Sequence, residues 1–178
     1  MKIRYYKGCP KTKIVMVLKN DWKCWFETGK GFEEAKKRYN LKDNDFIYID
    51  YNIFKHVQLL NEKGYKTIYS CEGHRRKYNE RTIINYMYIV ILVEDNFDKY
   101  SNYLIKAPDD FYVSIEKLHN VEDDKRAKTV VIQQQRLDYD KMNDKEYFNK
   151  VKKENLDSLY KFIEQLPDIS KDIDKEDL

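Results

Sequence analysis

The run MYIVILV at residues 87–93 decides more about the fold of this chain than any other segment. Its residues are nearly all apolar, as in a strand that is buried on both faces. A helix that spans a bilayer needs about 20 such residues, so this run predicts a central strand and no membrane partner. We found no signal-peptide pattern. The three cysteines suit reduced thiols, so we expect a cytoplasmic protein.

Helices and strands alternate around this run. Strands are predicted at residues 46–49, 65–70, 82–94, 111–115 and 129–137. Ile53, Val57 and Leu60 define one apolar face of a helix that Gly64 ends. A second helix begins near residue 96 and stops before Pro108. The last helix is predicted to start at a capping box and to end at a proline, the residues involved being Asn143, Glu146 and Pro167.

The order of these elements predicts the fold class. The first six of these elements, in residues 46–115, give the β-α-β-β-α-β pattern of a ferredoxin-like sandwich, an α+β fold, and the strand at residues 129–137 follows them. A β-hairpin at residues 14–27 precedes this core, and a helix follows it. We therefore expect an N-terminal hairpin and short helix in residues 1–45, an α+β core in residues 46–167, and an acidic flexible tail in residues 168–178.

The charge is unevenly distributed along the chain. The net charge is +3, but the final segment DISKDIDKEDL holds five acids and two lysines, so it carries −3 and the rest of the chain +6. A moderately basic body is compatible with an anionic ligand or with nucleic acid. It is equally compatible with simple solubility.

A polar segment at residues 70–81, SCEGHRRKYNER, concentrates the groups that could do chemistry. We expect residues 71–81 to form a long loop, and such loops tend to be functional. Arg75, Arg76 and Arg81 could neutralise phosphate, because guanidinium groups bind oxyanions through paired N–H donors. Gly73 would permit close approach, and the other predicted ligand-binding residues are Ser70, His74, Tyr69 and Tyr78. A solvated basic tip is the alternative interpretation.

Cys71 and His74 have the C-x-x-H spacing, which is compatible with two chemical roles. With Cys9 and Cys24 they would complete a Cys₃His zinc site, although the latter two do not form a close ligand pair. Alternatively, Cys71 would be a nucleophile and His74 its base. Without a metal, Cys24 would be a small buried residue and Cys9 a loop thiol.

Two resemblances bear on this segment. Residues 60–74 contain L-N-x-K-G-Y-x-T-x-x-S-C-x-G-H, which resembles a motif of small proteins from Firmicutes and their phages that have no agreed activity. Residues 70–74 also resemble the S-C-x-G-R loop of the wybutosine-synthesis methyltransferase family, with His74 in place of arginine. These resemblances imply a ligand-handling loop, and the second implies a nucleotide-like cofactor and an RNA substrate.

Three functions therefore follow as hypotheses. The first is binding of an anionic, nucleotide-like ligand, as in a phage anti-defence protein that sequesters a nucleotide signal in the host cytoplasm. The second is an enzyme that modifies RNA or nucleotides through the segment SCEGH. The third is an inhibitor that binds a host defence protein. Homo-oligomers are compatible with each of them.

Overall fold

The computed structural model describes residues 14–19, 21–27, 34, 36–38, 40–42, 45–93, 97–120, 125–135 and 139–170. The chain divides into two compact units, Met1–Tyr51 and Asn52–Leu178. Within the described residues, no helix is long and apolar enough to cross a membrane.

The first unit contains a three-stranded antiparallel sheet. Its strands are β1 (Ile14–Leu18), β2 (Asp21–Glu27) and β3 (Phe46–Asp50), in the order β2-β1-β3. The predicted N-terminal hairpin is thus confirmed. β3, which we assigned to the start of the core, pairs with β1 along its whole length. Met16 and Phe46 form a small buried cluster in this unit.

The second unit follows the alternating order that the sequence predicts. It begins within a 3-10 turn (Tyr51–Ile53). Its further elements are α1 (Phe54–Glu62), β4 (Thr67–Cys71), β5 (His74–Tyr78), β6 (Arg81–Asn85), β7 (Tyr88–Leu92), α2 (Phe97–Leu104), β8 (Phe111–Asn120), β9 (Lys125–Gln134), α3 (Tyr139–Met142) and α4 (Lys145–Gln165). The α+β class and the C-terminal helix are confirmed. The segment predicted as one strand at residues 82–94 is instead two strands, β6 and β7.

A four-stranded antiparallel sheet in the order β4-β7-β9-β8 forms the centre of the second unit. The predicted central run supplies β7, where Ile89 and Ile91 pair with Ile132 and Val130 of β9. These four side chains share one face and are at most 1% exposed. The apolar run therefore lies in the interior of the sheet, as its composition requires.

Two helices of this unit, α1 and α4, are fastened to each other by polar contacts. Nε2 of His56 lies 2.8 Å from the carbonyl oxygen of Leu156, and the imidazole meets the ring of Tyr160 edge-on. Gly64 has φ +92°, which confirms the predicted glycine after the end of α1. The predicted capping box is wrong by one position, because Asp144 accepts the hydrogen bond from Tyr147 N.

Candidate functional site

The polar segment is a β-hairpin rather than the long loop that we predicted. β5 and β6 pair in antiparallel register from His74 with Asn85 to Tyr78 with Arg81. We call residues 74–85 the basic hairpin. Asn79 adopts φ +54° in its two-residue turn, a conformation that asparagine tolerates and that matches the twist of paired strands. The run of charge concealed this turn signal, whereas the β-branched residues that follow it were predicted as the start of the strand at residues 82–94.

Gly73 sets the direction in which the basic hairpin leaves the central sheet. Its φ is +81°, and a Cβ there would stand 3.3 Å from both Asn85 O and Met87 N. The left-handed conformation and the close backbone neighbours both favour glycine. The predicted sharp turn after β4 is thus confirmed.

Glu72 is a buried structural anchor and not an exposed acid. It is 3% exposed, and its Oε2 accepts a hydrogen bond of 2.9 Å from Asn52 N at the start of the 3-10 turn. Its Oε1 lies 2.5 Å from Nζ of Lys152 on α4, which also donates to Gly73 O at 3.0 Å. A carboxylate suits this place because the first N–H groups of a helical segment lack partners within the helix.

Cys71 and His74 lie side by side as a result of this turn. Cys71 is the last residue of β4 and His74 the first of β5, and Sγ and a ring nitrogen are within 4.8 Å of each other. Both residues are half-buried, and the cysteine is not in a disulfide. Thiol and imidazole are thus close enough to act on one bound group.

The predicted cations are divided between the two faces of the basic hairpin. Cross-strand pairing puts Arg75 opposite Ile84, and Arg76 opposite Ile83. Since successive side chains of a strand point to opposite faces, Arg75 and Lys77 share one face and His74 and Arg76 the other. The sequence therefore located the cations correctly but did not show that they separate into two sets.

One of these faces is fixed to the rest of the second unit. A terminal nitrogen of Arg75 donates to the carbonyl oxygen of Asn143, just before α4. Beside this contact a groove of about 930 Å³ opens, and its lining residues are Arg75, Lys77, Glu80, Arg81, Thr82, Ile83, Ile84 and Asn143. Three cations and one carboxylate thus share a groove that has apolar walls.

The remaining predicted residues are not all brought to this groove. Tyr69 and Ser70 lie on β4, where they pair with Val90 and Ile89 and so face opposite sides of the sheet. Tyr69 is 47% exposed, whereas Ser70 is half-buried. Cys9 and the side chains of Cys24 and Tyr78 lie outside the described residues, so the proposed zinc set stays a prediction.

Lys152 and Asn143 belong to this region but were not predicted. Lys152 stands in a helix rich in lysine, and its partner Glu72 is 80 residues away in sequence. Asn143 contributes only its backbone carbonyl oxygen to Arg75. Neither contact leaves a sequence signal, because each joins residues that are far apart in the chain, at separations of 80 and 68 residues.

Comparisons of the chain with protein-family models, curated proteins and solved structures found no significant match.

Proposed function

We propose that the protein binds a phosphate-bearing, nucleotide-like anion at the basic hairpin. The observation that carries this proposal is the groove of about 930 Å³ beside β5 and β6, which Arg75, Lys77 and Arg81 line together. Guanidinium groups bind phosphate through paired donors, and an ammonium adds a point charge. Ile83 and Ile84 supply apolar walls against which a base or sugar can pack.

Such a binding site is sufficient for sequestration of a nucleotide signal, the role of the phage anti-defence protein in our first hypothesis. Sequestration needs affinity but no chemical step, so the ligand would be released unchanged when the protein is denatured. Mass analysis of the released ligand tests this role, because an enzyme would release product instead.

Calorimetric titration with pyrophosphate and with a nucleoside diphosphate tests the binding site. We expect Lys77→Ala/Arg81→Ala to weaken binding about tenfold or more, since two charged contacts would be lost. The matched control is Lys55→Ala/Lys153→Ala, which removes equal charge from exposed positions on α1 and α4. Equal affinity of both double variants, with the fold intact by circular dichroism, would contradict the proposal.

An RNA- or nucleotide-modifying enzyme is the second candidate, and one observation favours it. The Cys71 thiol and the His74 imidazole lie within 4.8 Å of each other, as a nucleophile and its base require once a substrate brings them together. We expect Cys71→Ser to abolish turnover of RNA or nucleotide while retaining binding. Full conversion by that variant would remove Cys71 from the reaction.

A further inference from the structure

The cations of the basic hairpin are spread along its length and over both of its faces. Arg75 and Lys77 occupy one face, and Arg76 and Arg81 lie along the other. A strand of this length extends about 15 Å, at roughly 3.3 Å for each residue. Four cations and one carboxylate, Glu80, give the hairpin a net charge of +3. A ligand that contacts several cations along the hairpin must itself be extended.

The face that carries Arg76 and Arg81 is partly open to solvent, since Arg81 is exposed and Arg76 is half-buried. We call it the outer face, and it includes Ile83, whose side chain is 45% exposed. Within the described part of the chain, neither arginine forms an ion pair. Arg81 and Ile83 also line the groove of about 930 Å³, so the groove and the outer face share these two residues.

The inner face of the same hairpin is tied down. Arg75 donates to Asn143 O, and Lys152 holds Gly73 O at the base of the hairpin at 3.0 Å. A two-stranded ribbon that binds a DNA duplex inserts into the major groove, which is about 12 Å wide, so both of its faces meet the nucleic acid. A flexible single strand can instead bind along one face of the ribbon alone.

We propose, building on the anion site above, that the ligand is a single nucleic-acid strand whose backbone lies along the outer face. Arg76 and Arg81 neutralise separate phosphates, and Ile83, directly opposite Arg76 in the register, packs against a sugar or base between them. Contacts of this kind read the backbone and not the sequence, so binding depends on salt and strand length and only weakly on base identity.

Fluorescence anisotropy with labelled oligo-dT and oligo-rU of about 12 nucleotides tests this inference, since single-strand sites span roughly 4–16 nucleotides. If two phosphates are contacted, the logarithm of the association constant should fall linearly with the logarithm of the salt concentration, with a slope of about −1.4 or steeper. Arg76→Ala/Arg81→Ala should weaken binding about tenfold or more and make that slope shallower by roughly 1.4. Arg81→Ala alone, at an exposed position, should remove about half of the slope. Lys55→Ala/Lys153→Ala should change neither quantity.

Competition separates the possible outcomes. If a free nucleoside diphosphate binds as tightly as the oligonucleotide, the anion site stands and the strand proposal is overturned. If a duplex of equal length binds as tightly as the single strand, the single-strand assignment is overturned. If neither oligonucleotide, nucleotide nor pyrophosphate binds, both the strand proposal and the proposed function are overturned.

Discussion

The ammonium nitrogen of Lys152 lies 2.5 Å from Oε1 of Glu72, and the two side chains are 17% and 5% exposed. The same ammonium donates to Gly73 O, and the other oxygen of the carboxylate accepts from Asn52 N. One ion pair thus joins α4, the turn between β4 and β5, and the start of the 3-10 turn. Cys71 and His74 flank that turn, so the ion pair lies between them in the chain.

Removal of the lysine should be costly to the fold. Lys152→Met leaves the Glu72 carboxylate buried without its cation, and breaking a buried pair in this way costs about 3 kcal/mol. We expect urea unfolding to show this loss in the free energy of unfolding. The double variant Glu72→Gln/Lys152→Met should lose less than Lys152→Met alone, because no uncompensated charge remains. If both variants lost the same free energy of unfolding, the Glu72 carboxylate would be hydrated in Lys152→Met.

The sequence predicted those elements whose signal is local. The apolar run of β7, the hairpin of β1 and β2, and the ends of α1 and α4 at Gly64 and Pro167 follow from periodicity and from backbone chemistry. β5, the first strand of the basic hairpin, was missed because most of its residues are charged, and charged residues have little intrinsic preference for strands. Its pairing is stabilised by cross-strand neighbours, which only the register reveals.

The candidate site was predictable in position but not in geometry. Gly73 and the cations were identified from residue type alone. The roles of Glu72 and Arg75 could not be, because each depends on a partner far along the chain, at separations of 80 and 68 residues. Side-chain partners across such distances are set by helix packing, which leaves no pattern along the sequence.

The turn at Gly73 provides a test of the backbone argument. Gly73→Ala should lower the free energy of unfolding by about 2 kcal/mol, because a side chain at φ +81° is strained and its Cβ meets backbone atoms at 3.3 Å. Asn79→Gly, at φ +54°, should be neutral or stabilising. Chemical denaturation measures both variants. An unaffected Gly73→Ala would show that the turn can relax.

Stability should decline in mild acid because of His56. Burial lowers the pKa of this imidazole from its ordinary 6.5, and the hydrogen bond to the Leu156 carbonyl opposes the shift only in part. In the unfolded chain the imidazole takes up a proton first as the pH falls below about 6.5, so the free energy of unfolding decreases from there down to the pKa of the folded state. Urea titrations from neutral pH to about pH 5 should show this slope.

A variant at the same position isolates the contribution of His56 to this pH dependence. His56→Gln retains an N–H donor for Leu156 O but has no titratable ring. We expect it to be less stable than the parent at neutral pH, since the edge-on contact with Tyr160 is lost, and to show a weaker dependence on pH. Parallel curves for parent and variant would assign the acid sensitivity to another group.

The lysine at the end of α1 should stabilise the end of α4. Nζ of Lys63 lies 2.8 Å from Glu164 O and 2.5 Å from Leu166 O, carbonyls that the end of a helix leaves without partners. Lys63→Met keeps the aliphatic stem but removes these donors, and should cost about 1 kcal/mol. Lys55→Met, at an exposed position on α1, is the control.

Hydrogen exchange should increase at residues 163–169 in Lys63→Met and not in the control. In that variant the contact between residue 63 and the end of α4 retains only the backbone hydrogen bond from Ile169 N to Lys63 O, which is 2.8 Å long. Unchanged exchange there would mean that water replaces the ammonium without loss.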